Sequence, residues 1–283
     1  AGAYEPDLFI PSAYPWARML EADGINTVEL TDKLVGNTAG ILMENSVYEA
    51  FTEKYDEANL STLITAAIAG DVTFAYPNPY TSTTGLIGIG AILYAFDPDN
   101  PLSSYASEQL REYQKTSPPV AYTTAVLRNQ AAKGVINTML MEEQAYINTP
   151  SLSDYTYIPF GVRHDHPVYT FDYCTAEEQE AAQLFVDYCL TSDNQKLATE
   201  KGFNRHDDYK SQDPGFSGTD WINAQQIWKE NKSGGKPIVA VFIADTSSSM
   251  DGEPLNSLKS ALVNTSSYIG ENNYIGLVSY NSD

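Results

Sequence analysis

Val72-Thr73-Phe74-Ala75-Tyr76-Pro77-Asn78-Pro79-Tyr80-Thr81-Ser82-Thr83-Thr84-Gly85 decides the reading of the chain. The β-branched and aromatic run 72–76 is a strand, and Pro77 ends it. Residues 86–96 follow as an apolar helix that opens directly from the hydroxyl cluster and stops before Asp97-Pro98. A strand handing over to a helix in this way is one unit of layered α/β architecture. The handover also gathers hydroxyls and free backbone N–H groups at the positive end of the helix dipole, which suits an oxyanion or carboxylate ligand. Simple N-capping by one Thr, with its neighbours in water, accounts for the same residues.

The alternation runs outward in both directions. Upstream, apolar runs at 8–10, 27–30 and 41–43 are separated by turn residues that include Gly36-Asn37-Thr38-Ala39-Gly40, a strand, helix, strand rhythm. Residues 47–55 and 60–69 read as helices, the second closed by Gly70. Downstream, 107–115 and 122–133 are helices, 135–141 is a buried strand, and 155–162 is another before the loop 163–167. Thr175-Ala176-Glu177-Glu178 is a capping-box pattern opening a helix to residue 190, and a second helix closes at Lys201-Gly202. A further helix, 221–231, leads to Lys232-Ser233-Gly234-Gly235-Lys236-Pro237, which has linker composition.

Sixteen Lys and Arg stand against 37 Asp and Glu, a formal net charge of −21. With 42% hydrophobic and 12% aromatic residues the chain fills a core, so its acidity does not mean disorder. Such a surface repels phosphate backbones and anionic headgroups, and there is no Lys/Arg stripe, which argues against nucleic-acid and peripheral membrane binding. No run approaches the roughly 18 apolar residues of a transmembrane span. Ala1-Gly2-Ala3-Tyr4 is not a signal sequence. Cys174 and Cys189 fall at opposite ends of one helix, roughly 20 Å apart and beyond disulfide reach. They read as two buried thiols.

After the linker, residues 238–244 form an uninterrupted apolar run, 255–269 carry apolar residues at helical spacing, and 274–280 are a second strand. One such unit of about 50 residues does not bury its own apolar surface, so the chain reads as a fragment cut inside its second domain. The first of these strands is expected to be buried and delivers Asp245-Thr246-Ser247-Ser248-Ser249 at its carboxyl end. Alternate residues of an extended turn point one carboxylate and two hydroxyls at one spot, and an all-oxygen set suits a hard, partly hydrated cation, Mg²⁺ first. Helix capping by Ser249 or Asp251 is the alternative.

Two resemblances follow. Residues 237–283 resemble the start of a von Willebrand factor A domain, whose metal-ion-dependent adhesion site begins with Asp-x-Ser-x-Ser after the first strand. That resemblance implies Asp245, Ser247 and Ser249 as metal ligands, with a carboxylate from a protein partner completing the shell. Ser248 stands where that family usually has Gly, and the family's later Thr and Asp ligands lie beyond residue 283, so Mg²⁺ affinity is expected to be weak. Residues 1–230 resemble type 2 periplasmic, or extracellular, solute-binding proteins through 7–16, 36–40, 78–85 and the segment 192–203. The implied fold is two α/β lobes joined by a hinge, N-terminally incomplete because the family's opening strands precede residue 1. The first lobe would run to Thr38, the second over 39–160, and the later helices would return to the first. Cleft residues implied by the resemblance are Thr81, Ser82, Thr83 and Thr84, with Tyr80, Asn37, Thr38 and Gln144. Gln144, beside Glu143, is either a cleft-edge group or part of a solvated helix start.

The expected domains are therefore 1–230, solute-binding-like, a linker at 231–236, and 237–283, the N-terminal part of a Rossmann-like von Willebrand A domain. Other motifs fail. Arg163-His164-Asp165-His166 sets two imidazoles at i and i+2, but with no third ligand it reads as a hinge loop. His206 reads as surface, and Glu142-Glu143 and Glu177-Glu178 as solvated helix starts. Gly215-Phe216-Ser217-Gly218-Thr219 misses the serine-hydrolase elbow at its last position, and neither nucleotide loop is present. With no catalytic set, the expectation is a non-enzymatic extracellular or cell-surface-anchored binding protein that joins a small anionic or polar solute to a Mg²⁺-dependent adhesion module. A solute-binding component handing its cargo to a permease and a chelatase-like subunit are the rivals.

Overall fold

A computed structural model describes residues 5–266 and 273–281. The chain divides into two compact units, Ala1–Lys232 and Ser233–Asp283. In the first, α1 (Pro15–Ala22) leads to β1 (Thr27–Thr31) and β2 (Thr38–Glu44), and α2 (Asn45–Tyr55) and α3 (Leu60–Ala69) precede β3 (Phe74–Pro77). Next come α4 (Thr83–Phe96), α5 (Ser104–Lys115), β4 (Val120–Ala121), α6 (Thr124–Ala132), β5 (Thr138–Glu142) and α7 (Glu143–Ile147). The unit ends with β6 (Tyr155–Arg163), β7 (Val168–Phe171), α8 (Ala176–Cys189), α9 (Ser192–Glu200) and α10 (Gly218–Asn231).

Five strands form a mixed sheet in the order β4-β3-β5-β2-β6. β3 runs parallel to β4 and β5, while β2 is antiparallel to both β5 and β6. The central strands are apolar without interruption because both faces are covered. Ile41, Met43, Phe74, Tyr76 and Leu140 face a core filled from α3, α4, α5 and α10. Their alternates Leu42, Ala75, Met139 and Met141 face a second core closed by Leu127, Ala131 and Leu152. β1 and β7 form a separate antiparallel ribbon, Thr27 opposite Phe171, and the strand expected at 8–10 reduces to one bridge from Phe9 to Tyr169. α8 packs on this ribbon and on α9. The Thr175 hydroxyl and Glu178 carboxylate form the reciprocal cap read from the sequence, and both cysteines are free thiols.

α4 starts three residues earlier than the apolar pattern alone suggests, because Ser82 rather than a later residue is its N-cap. From Thr84 to Leu93 every residue of α4 is buried. Each of its Leu and Ile side chains contributes about 1.5–3 kcal/mol by leaving water. The helix meets the sheet so closely at Gly85 that a Cβ there would lie 2.3 Å from the Pro77 carbonyl oxygen. The final helix, α10, packs on α1, which belongs to the expected first lobe, and also on α4 and α5 of the expected second. Apolar anchors and polar partners both hold it. Trp221 and Trp228 enter the main core, Trp228 Nε1 donates to the Tyr76 hydroxyl at 2.9 Å, and Gln225 Nε2 donates to the Pro79 carbonyl at 2.9 Å.

In the second unit β8 (Val239–Asp245) and β9 (Tyr274–Tyr280) pair in parallel, and α11 (Glu253–Ser266) lies between them in sequence. β8, expected to be buried, is not: Val239 is 66% and Ile243 73% exposed. The described residues of this unit supply one α-helix and two strands, too few layers to cover both faces of a parallel pair. Residues 267–269 of the helix expected over 255–269 lie outside the described residues.

Gly85→Ala drives a methyl group into fixed backbone and should lower unfolding stability by at least about 1–3 kcal/mol in urea titrations followed by tryptophan fluorescence. An unchanged midpoint would refute the close approach.

Candidate functional site

The hydroxyl cluster ahead of α4 is brought to one place, and each hydroxyl there has a partner from the chain itself. Thr81 Oγ1 donates to the Tyr122 carbonyl at 2.7 Å, and Ser82 Oγ accepts from the Gly85 N–H at 3.4 Å. Thr83 Oγ1 accepts from Trp16 Nε1 at 2.9 Å, which ties α1 to the start of α4. Thr84, fully buried, donates to the Glu142 carboxylate. Tyr80 is exposed, with its ring 6.0 Å from that of Trp228. A carboxylate does sit at this helix start, but it belongs to Glu142 at the end of β5.

Asn37, Thr38 and Gln144 gather at the start of α7. Asn37 Oδ1 accepts from the Thr38 N–H at 2.9 Å and the Gln144 N–H at 3.2 Å, and Gln144 Nε2 donates to the Lys201 carbonyl at 3.2 Å. Asn37 and Thr38 are buried because β2 begins here, inside the sheet. Beside them the expected solvated pair Glu142-Glu143 is overturned. Glu143 is 5% exposed, with Arg205 Nε at 3.3 Å and His206 Nε2 at 3.4 Å from its Oε1. Burial pushes the Glu143 carboxyl up, against the downward pull of His206 and Arg205. His206, read as surface, also stacks on Tyr157 at 6.0 Å, and the Tyr157 hydroxyl donates to the Thr38 carbonyl at 2.7 Å.

Arg163, at the end of β6, ties this cluster to the β6–β7 loop. Its Nε donates to both Asp165 oxygens at 3.0 Å, Nη2 to Asp207 at 2.8 Å, and Nη1 to the Thr38 hydroxyl at 3.4 Å. The two neighbouring imidazoles do not converge on a metal. His164 is 1% exposed, and burial lowers its pKa to about 3, whereas His166 Nδ1 faces the Val35 carbonyl at 3.2 Å. On the other side of Arg163 opens a cavity of about 480 Å³, bordered by Tyr14, Arg18, Glu29, Arg163, Tyr169 and Asp213. Tyr14, at the N-cap of α1, donates its hydroxyl to both Asp213 oxygens at 2.7 and 2.8 Å. None of the residues chosen from the sequence lines this cavity. A usable signal was present all the same: in a chain of −21, the few Arg and His residues at 163, 205 and 206 are conspicuous.

In the second unit the Asp-x-Ser-x-Ser residues converge. The Ser247 N–H donates to Asp245 Oδ1 at 2.9 Å, and the Ser247 and Ser249 hydroxyl oxygens are 3.0 Å apart. The Ser247 hydroxyl and N–H hold the Asp245 carboxyl below its ordinary range. The two serine hydroxyls thus bond each other beside the Asp245 carboxylate, and one carboxylate and two hydroxyls stand together at the end of β8.

Residues 1–204 match the model of the bacterial extracellular solute-binding protein family. The chain belongs to that family, whose members bind solutes and are not enzymes. Solved structures share the fold at low identity. The substrate-binding protein of an ABC transporter from Agrobacterium tumefaciens is 11% identical, with 82% of this chain and 79% of that one covered at a TM-score of 0.58. Iron-bound HitA from Pseudomonas aeruginosa is 13% identical over 81% of this chain and 83% of its own, at 0.53. The sulfate-binding protein SubI from Mycobacterium tuberculosis H37Rv is 14% identical over 73% and 71%, at 0.51. No curated protein matches the chain. The periplasmic-binding-protein-like α/β fold thus extends over most of the chain, and the family match stops short of residues 237–283.

Neutral burial of His164 has a definite pH signature. Its folded pKa of about 3 lies below the ordinary 6.5, so its contribution is complete above pH 6.5 and is lost as pH falls from there towards 3. The slope is about 1.4 kcal/mol per pH unit. His164→Phe should flatten the measured stability over that interval, and an unaltered slope would reject neutral burial.

Proposed function

We propose that the protein is the solute-binding component of a transport system, capturing a small polar molecule outside the cell and delivering it to a membrane permease. The observation that carries this reading is the cavity of about 480 Å³, which borders the family-matched segment at α1, β1 and the β6–β7 loop. Its size is that of a small-molecule site. Similar folds described as transporter components, iron-bound or sulfate-binding, support the transport role without naming this cargo. In this reading two of the residues singled out in the sequence, Thr83 and Thr38, support the cavity from behind its lining. Thr83 anchors α1 through Trp16, and Thr38 positions Arg163. Native mass spectrometry of the purified protein should find a retained small molecule that Tyr14→Ala releases. A protein that carries no compound and binds none of a panel of anionic, neutral and cationic solutes would sink the proposal.

A second reading concerns residues 237–283, taken as an adhesion module of the von Willebrand A type with Asp245, Ser247 and Ser249 as Mg²⁺ ligands and a protein partner's carboxylate as a further one. Its support is the 3.0 Å spacing of the two serine hydroxyls beside Asp245 at the end of a parallel strand. Three protein oxygens make a weak site, so millimolar Mg²⁺ affinity is expected by calorimetry on the full chain and should vanish in Asp245→Ala. Equal Mg²⁺ binding by both proteins would remove this reading.

A further inference from the structure

We infer that the cavity beside α1 takes a small organic cation bearing an ammonium group. The inference rests on the solute-binding reading and specifies its cargo. Four carboxylates border the cavity, those of Glu29, Asp32, Asp165 and Asp213, against the two guanidinium groups of Arg18 and Arg163. Both guanidinium groups are already bonded to carboxylates. Arg18 Nη1 bonds Glu21 at 3.0 Å, outside the cavity, and Arg163 is shared between Asp165 at 3.0 Å and Asp207 at 2.8 Å. Arg163 therefore offsets Asp165, and with Arg18 divided between Glu21 and the neighbourhood of Glu29 the lining keeps more carboxylate than cationic charge. Among the described residues Asp213 is held by neutral donors, the Tyr14 hydroxyl at 2.7 Å and the Gly215 N–H at 2.8 Å. Among the described residues, no ion pair reaches Glu29, Asp32 or Asp213.

The remaining walls exclude two other ligand types. An oxyanion would face uncompensated carboxylates, each repelling it by several kcal/mol at an effective dielectric of about 20. A bare metal ion would leave most of a cavity of about 480 Å³ unfilled. Val162, Pro167 and Phe216 supply apolar surface for methylene groups, and Tyr14 and Tyr169 add aromatic side chains to the same lining. The carboxylates thus select charge while the apolar wall selects an organic skeleton. The positive end of α4, which suggested an anion from sequence alone, is already served by Glu142.

Calorimetry on the full chain tests the inference, with putrescine and choline as cationic probes, sulfate and maltose as anionic and neutral ones, and Mg²⁺ alone as the inorganic control. At least one organic cation should bind with unit stoichiometry, and Glu29→Gln with Asp32→Asn should weaken it by at least about tenfold. Both side chains are exposed, so circular dichroism should show the variant folded. The same change at the exposed carboxylates Glu49 and Glu53 on α2 should leave binding intact, and an equal loss there would reduce the effect to general attraction by an acidic chain and overturn the inference. Binding of maltose or sulfate, abolished by Tyr14→Ala, with no response to putrescine or choline, would overturn the cation while sustaining the transport reading. Silence from every probe, with no retained compound, would overturn both.

Discussion

Enclosure of α4 on all sides is the constraint from which the rest of the first unit follows. A helix carrying Leu86, Ile87, Ile89, Ile92 and Leu93 with almost no polar face cannot lie on a surface. It therefore takes the sheet on one side and α3, α5 and α10 on the others. The close approach at Gly85 fixes its axial position against Pro77 and Asn78. That position in turn decides where Ser82, Thr83 and Thr84 stand, and so where α1 and the end of β5 are tied. A second close approach, at Gly90, lets the Trp221 ring lie against the helix backbone. The polar loops at the strand ends are thereby held by a core that they do not themselves stabilise.

Two charge arrangements sit on either side of Arg163. Towards α7, a buried carboxylate is matched by Arg205 and His206, and Asn37 accepts from the neighbouring Gln144 N–H, which makes a closed cluster. Towards α1, carboxylates outnumber the cations available to them and border open space. One guanidinium group, bonded in both directions, separates a finished electrostatic structure from an unfinished one. Unfinished charge in a concave place is the ordinary condition of a ligand site before its ligand arrives.

The fold was largely legible because its signals are local. The 72–96 strand and helix, the Thr175 and Glu178 cap and the two-faced apolar strands all declare themselves within a dozen residues. Boundaries drifted where a cap residue was read as loop, as at Ser82. The placement of α10 was not legible, since Trp221 and Trp228 carry no mark of which helix they will meet. The polar clusters escaped for a similar reason. Glu143 looks like any surface carboxylate until Arg205, some sixty residues on, is brought beside it. Asp213 and Tyr14 meet across 199 residues of sequence. The Asp245 motif, by contrast, is compact in sequence, and its geometry could be anticipated from spacing alone.

The placement of α10 also governs the order of events during synthesis. Tyr76 is made early, yet its hydroxyl waits for Trp228, 152 residues later, and the main core lacks two of its tryptophans until then. At about 5–20 residues per second this is a delay of roughly 8–30 s. Throughout it the emerging chain holds a sheet and a helix that cannot be sealed. The last piece of that core is supplied near residue 228, so the sheet and α4, though made much earlier, reach their final enclosure only when α10 arrives.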